Sequence, residues 1–262
     1  MKKIRTIIHK EWAEVFKNRM VISTILFMPL IFAAIPLVMF YFTRSAGGED
    51  LSGDIPPQFM QYCAEGLSAN ECFQSYMSSQ FMLLFMMIPL IVPVNIAAYS
   101  IVGEKTTHSL EPLLATPITT AELLAGKNLA SVIPAVAATW FGFLVYMAGA
   151  WIIVDNPRVP SALLDPTWLA AVFILGPLLA VLSVNFSILV SSRVNDPRVA
   201  EQVSAVIILP ILAVFIGQIA GLFFINRSLV LIFALILVAV DAGVLYLAVR
   251  LFQRETILTR WK

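Results

Sequence analysis

Residues 81–127 read FMLLFMMIPLIVPVNIAAYSIVGEKTTHSLEPLLATPITTAELLAGK, and the change of character halfway along decides the fold. From Phe81 to Gly103 there is no charged side chain. About 20 mostly apolar residues in a helix cross ~30 Å of hydrocarbon, so this half is long enough to span a bilayer. From Glu104 onward come three glutamates, two lysines, two prolines and a run of threonines. That half is too polar for lipid, yet its leucines are too regularly patterned for an idle linker.

The composition of the whole chain agrees. Of 262 residues, 60% are hydrophobic and 13% charged, whereas a soluble domain sits near half apolar and about a quarter charged. This much apolar surface has nowhere to go in a soluble fold of this length. Six stretches are predicted to span, at about 20–42, 79–102, 129–154, 167–192, 203–225 and 229–250. Membrane strands need only about 10 residues and alternate in polarity, so these runs are helices. Pro29, Pro36, Pro89, Pro93, Pro134, Pro177 and Pro210 fall within them and read as kinks, since neighbouring helices re-satisfy the freed backbone groups. The predicted fold is all-α: an interfacial helix over residues 1–19, then a six-span membrane domain over 20–262. The net charge of +1 gives no indication of nucleic-acid binding.

Charge placement sets the expected orientation. With the N-terminus inside, fourteen of the 17 lysines and arginines fall in inside segments, and only Arg44, Arg158 and Arg227 fall outside. Both termini are therefore expected on the cytoplasmic side. The first apolar run is too long for a signal-peptide core and is expected to be retained. Cys63 and Cys72 then lie in the outer loop, about 43–78, where disulfides are permitted. They are candidates for a bond, the alternative being two free thiols. The acids of that loop read as solvating groups, since no spaced His/Cys set accompanies them.

Ahead of the first span, Ile4, Ile7, Ile8, Trp12, Val15 and Phe16 follow the spacing of one helical face. Lys3, Arg5, Lys10, Glu14 and Lys17 fill the rest. A basic helix with such a face lies in the interface plane. It reads as an elbow that positions the first span, or as a plain topology anchor.

The polar segment at about 104–128 resolves into helix, break, helix. Ser109 caps a short helix over 110–115 with Pro112 in its first turn, where the missing N–H costs little. Thr116 before Pro117 ends it. Thr119 and Glu122 then form a capping box that opens the helix of the third span. A hook of this kind, held between two spans, suits docking against another protein.

At these residues the chain resembles the permease subunits of type-2 ABC exporters. Glu104 and Lys105 match that family's glutamate-basic pair at the end of the second span. Ser109, Leu110, Glu111, Leu113, Leu114 and Pro117 match its short coupling helix. Leu123, Leu124, Gly126 and Lys127 approximate its Leu-Leu-Gly-Lys run, with Ala125 inserted; His108-Ser109 stands where glycine-threonine is usual. The resemblance implies an exporter subunit in the cytoplasmic membrane, working with a cytoplasmic ATPase and a second permease copy. It implies that ATP and magnesium are bound by the ATPase, with no cofactor in this chain. The residues concur: around Gly126-Lys127-Asn128 there is no upstream glycine at P-loop spacing and no hydroxyl after the lysine.

Asp241 supports a competing class. It lies mid-way along the sixth predicted span, where a charge costs about 2.5–3.5 kcal/mol or more. An ion- or proton-coupled carrier would use such a residue, with Asn95, Asn185 or Gln218 as possible company. A structural acid fixing one helix pair is the other reading. Paired broken helices at matching positions in two halves, the usual mark of inverted repeats, are not seen in the sequence.

Overall fold

The computed structural model describes residues 2–45, 67–106 and 118–251. Cys63 and six of the predicted coupling residues, Ser109, Leu110, Glu111, Leu113, Leu114 and Pro117, lie outside them. The described residues form helices and turns, with six stretches long and apolar enough to cross a membrane. The N-terminal helix, α1, covers Lys2–Val15. The spans follow as Arg19–Arg44, Asn70–Thr106, Thr120–Ile153, Arg158–Ser191, Pro197–Ile219 and Arg227–Arg250.

The second and fourth spans pack against each other at the centre. The third lies against both and carries the first on its other side, while the sixth packs along the fourth. The fifth is peripheral. The second span is the most enclosed, and the first, fifth and sixth turn much of their apolar surface outward. Two glycines let the first span come close to the third. A Cβ on Gly142 would fall 2.8 Å from the Pro29 ring, and one on Gly149 would fall 2.4 Å from Leu37. Between them Tyr146 is fully buried and stacks on Phe40.

One boundary differs plainly from expectation. The stretch 43–78 was predicted as a loop, but the helix leading into the second span begins at Ala69. Ser68 and Glu71 form a capping box there, which satisfies exposed N–H donors at the helix start. The polar residues that made 70–80 look loop-like are packed instead. Gln74 is buried and donates to Thr43 Oγ1 at 3.0 Å. Cys72 is also buried, its sulfur in a disulfide.

Proline shapes the spans more than as simple kinks. The second span breaks at Met86–Met87, and Pro89 sits at the start of its second half, Ile88–Thr106. The fourth passes through a π-turn at Ala171–Leu175 just before Pro177. The fifth has a 3-10 turn at Ala205–Ile208 just before Pro210. Pro89 occupies a first turn, where its missing N–H has no partner to lose; at Pro177 and Pro210 the chain stays helical on both sides, and the irregular turn accommodates the ring and the lost donor. The third span differs: it is one α-helix from Thr120 to Ile153 despite Pro134. At 1.5 Å per residue, its 34 residues make a rod of about 50 Å.

The fifth span ends in a Schellman turn, with Gly221 at φ 71° and the Leu222 N–H donating to the Gly217 carbonyl. Phe223 folds back over Gly217, where a Cβ would lie 2.8 Å from its ring. The helix therefore stops at Ile219 rather than near 225, and 220–226 returns the chain to the sixth span.

Candidate functional site

At the end of the bundle that holds α1, the termini of two spans and the amphipathic helix meet in a buried network of charge. α1 packs along the third span, with Ile7, Glu11 and Val15 as its buried line. Gly126 makes this possible: a Cβ there would sit 2.8 Å from Ile7 Cγ2. The Trp12 indole N–H donates to the Ala130 carbonyl at 2.9 Å, a second fastening to the same span. Part of the face expected to meet lipid headgroups is thus turned onto protein, while Phe16 stays 48% exposed.

Glu11 is the only polar member of the buried line, and it is only 2% exposed. Its partner is Lys127, 5% exposed, whose Nζ lies 2.9 Å from Glu11 Oε1. The same ammonium donates to Ser100 Oγ at 2.7 Å, and the Ser100 hydroxyl donates to Glu11 Oε2 at 2.6 Å. Lys127 also forms an ion pair with Glu104 Oε2 at 2.8 Å. Glu104, itself 4% exposed, accepts a hydrogen bond from Lys10 on its other oxygen. Lys10 is half-exposed and lies 3.7 Å from Glu11 and 3.6 Å from Glu14. Two buried glutamates, the buried Lys127 and the half-exposed Lys10 make the network neutral overall. Three ions removed from water are tolerable only because each is paired.

The titration of α1 reflects this. Burial pushes the Glu11 carboxyl up, but Lys127, the Ser100 hydroxyl and Lys10 outweigh it and hold the group below the ordinary carboxylate range. Burial likewise works to lower Lys10, and the hydrogen bond and charge of Glu104 reverse that, leaving it above the ordinary lysine range.

The predicted Glu104–Lys105 pair divides its labour. Glu104 turns inward to the network. Lys105 turns to the fourth span, where its Nζ donates to the Ser192 and Val194 carbonyls at 3.4 Å each. Those carbonyls end a helix, where a cation is favoured. The Thr119–Glu122 capping box forms, with Glu122 N–H to Thr119 Oγ1 at 3.2 Å and Thr119 N–H to Glu122 Oε2 at 2.9 Å. Lys3 of α1 reaches that same glutamate at 3.5 Å. The described residues on either side of 107–117 are thereby tied to α1, on one side through Glu104 and on the other through Glu122 and Lys127.

Glu11 and Ser100 are the residues that pattern reading passes over. Glu11 carries a usable signal: an acid four residues from both Ile7 and Val15, on the apolar side of a predominantly basic helix. Ser100 carries none, being one small hydroxyl in an apolar span.

Asp241 lies apart from this network. It is 8% exposed, and neither carboxylate oxygen has a hydrogen-bond partner among the described residues. Of its candidate companions, Asn185 accepts from Asn128 through Oδ1 while its Nδ2 has no partner among the described residues, and Asn95 donates to its own Ile91 carbonyl at 3.2 Å. Gln218 lies at the far end of the fifth span.

No curated protein matches the chain. The family whose pattern does match is described as ABC-2 family transporter protein, and the match runs over residues 5–233, from α1 into the sixth span. With six apolar helices and that match over most of its length, the chain belongs to the ABC-2 transporter family and is a multi-pass ABC transporter membrane subunit.

Proposed function

We propose that the chain is the permease half of an exporter, driven by a separate cytoplasmic ATPase that docks on segment 107–117. The observation that supports this most is the arrangement around the segment. The described residues that flank it are joined by one buried charge network that includes α1. One end also continues without a linker into the 34-residue rod of the third span. A push on the segment would be carried into that rod, whereas the second, fourth and fifth spans have irregular turns at which they can bend. Leu110, Leu113 and Leu114 would give the ATPase an apolar anchor, and Glu111 a charge. Glu104 and Lys105 would hold the segment to the membrane domain. Two copies would assemble with two ATPases in the cytoplasmic membrane, both termini inside. The ATPases would bind ATP and magnesium and carry out hydrolysis.

The test is affinity purification of the tagged chain from its native membrane in mild detergent. A stoichiometric ATPase is expected to co-purify, and to be lost on Glu111→Lys or Leu113→Asp with membrane insertion intact. If both variants retain the ATPase, the docking assignment fails. An ion-driven carrier on Asp241 has a single observation in its favour, the unpartnered carboxylate. That reading requires transport without an ATPase, abolished by Asp241→Asn.

A further inference from the structure

We propose that an apolar chamber between the second, fourth, fifth and sixth spans holds the acyl chain of a bilayer lipid as a resident ligand. The chamber has a volume of about 360 Å³. Its walls include Leu83, Met86, Trp168, Val214 and Phe233, and no charged, hydroxyl or amide side chain lines it. A wall of this kind offers water no partners, and an apolar cavity of such make-up stays dry while accepting hydrocarbon.

The chamber is built, not left over from poor packing. Three helix irregularities of the spans converge on it: Met86 at the break in the second span, Ala171 and Leu175 at the two ends of the π-turn, and Ile207 in the 3-10 turn of the fifth. Irregular turns of this sort are frequent at functional sites. The sixth span supplies one continuous face, including Leu229, Phe233 and Leu237 at helical spacing.

Size and access select the occupant. A cavity of ~150 Å³ takes the six carbons of benzene, so at that density the chamber takes roughly fourteen carbons. That is most of one acyl chain. A second protein helix does not fit, since one turn of a helix ~10 Å across already fills more than ~400 Å³. The fifth and sixth spans, joined by residues 220–226, do not pack closely on each other. Both are among the spans with most apolar surface turned outward, so the seam between them faces hydrocarbon. An empty chamber would forfeit dispersion contacts along its whole lining, and a chain entering through that seam restores them.

The experiment uses the full chain in nanodiscs of phosphatidylcholine doped with phosphatidylcholine carrying a mid-chain diazirine, with adducts mapped by mass spectrometry after photolysis. Adducts are expected on the buried wall residues Met86, Trp168 and Val230 as well as on the outward Leu222 and Leu235, which are 77% and 72% exposed. Combining Val214→Trp with Ala171→Phe narrows the chamber from two walls. Labelling of the wall should then fall by about fivefold or more, with outward labelling unchanged. Outward labelling alone in the wild type overturns the proposal, as does undiminished wall labelling in the folded double variant. A measurement on the wild type stands independently of folding: the same diazirine chain on phosphatidylglycerol should label the wall equally, because the wall has no group to read a headgroup. A preference of about tenfold or more for one headgroup would overturn the resident-lipid assignment in favour of a recognised cargo.

Discussion

Replacing Lys127 with methionine retains most of the side chain's length but removes the cation between two buried carboxylates. Glu11 and Glu104 are 2% and 4% exposed, and Lys127 stands 2.9 and 2.8 Å from them. Breaking a buried pair by removing one partner costs about 3–5 kcal/mol. Lys10 still covers Glu104 but is 3.7 Å from Glu11 and partly solvated, so the lower figure, about 3 kcal/mol, is the expected loss. The readiest relief is for α1 to lift from the third span and return Glu11 to water. At 1.36 kcal/mol per tenfold, protection of the α1 amides against hydrogen exchange should drop by roughly 150-fold. The assay is exchange mass spectrometry on the full chain in nanodiscs, comparing peptides from residues 2–15 with peptides from the sixth span, which should not change. Adding Glu11→Gln removes the orphaned charge and leaves Glu104 with Lys10, and most of the protection should return. Protection in the single variant within about threefold of wild type would refute the reasoning, because a buried pair of this geometry could not then be holding α1. A double variant as loose as the single would refute the claim that the uncompensated carboxylate is the cause.

Gly126→Ala should also loosen α1, by about 1–3 kcal/mol from overpacking against Ile7, set against up to ~1 kcal/mol of gained helix propensity. Adding Ile7→Ala should relieve the clash, and exchange of the same peptides no faster than wild type in Gly126→Ala would contradict the packing. Docking of α1 should be insensitive to pH across the neutral range. Its Glu11 contribution, present above the unfolded value of about 4.3, should be lost as acid passes through the lowered pKa. Its Lys10 contribution, present below about 10.4, should be lost only as alkali passes through the raised one. An undocking midpoint near pH 6–7 would show that another group controls it. Finally, reduction should shift the gel mobility of the wild type but not of Cys63→Ser, and no shift in either would remove the Cys63–Cys72 bond.

How much of this was legible in one dimension follows from the physics of each feature. Spans are legible because the bilayer imposes a local requirement, a run of apolar residues as long as the hydrocarbon is thick, and all six stand where such runs occur. The Thr119–Glu122 capping box is legible for the same reason, since its partners are three residues apart. The helix over 69–78 was not, because Gln74 looks solvated until Thr43 of the first span supplies its partner. The same holds for the π-turn at Ala171–Leu175 and the chamber it helps to line, which exist only between packed spans.

The amino-acid sequence by itself determined that the chain is a six-span helical membrane protein with a short polar segment between its second and third spans. Only the tertiary structure decided what holds that segment. Glu11, Ser100, Glu104 and Lys127 come from three helices, and their sequence separations range from 4 to 116 residues. Whether an acid on α1 is a solvated surface charge or the centre of a buried ion network depends on which cation lies within 3 Å. That distance is set by the approach of α1 to the third span at Gly126, and no local pattern encodes it.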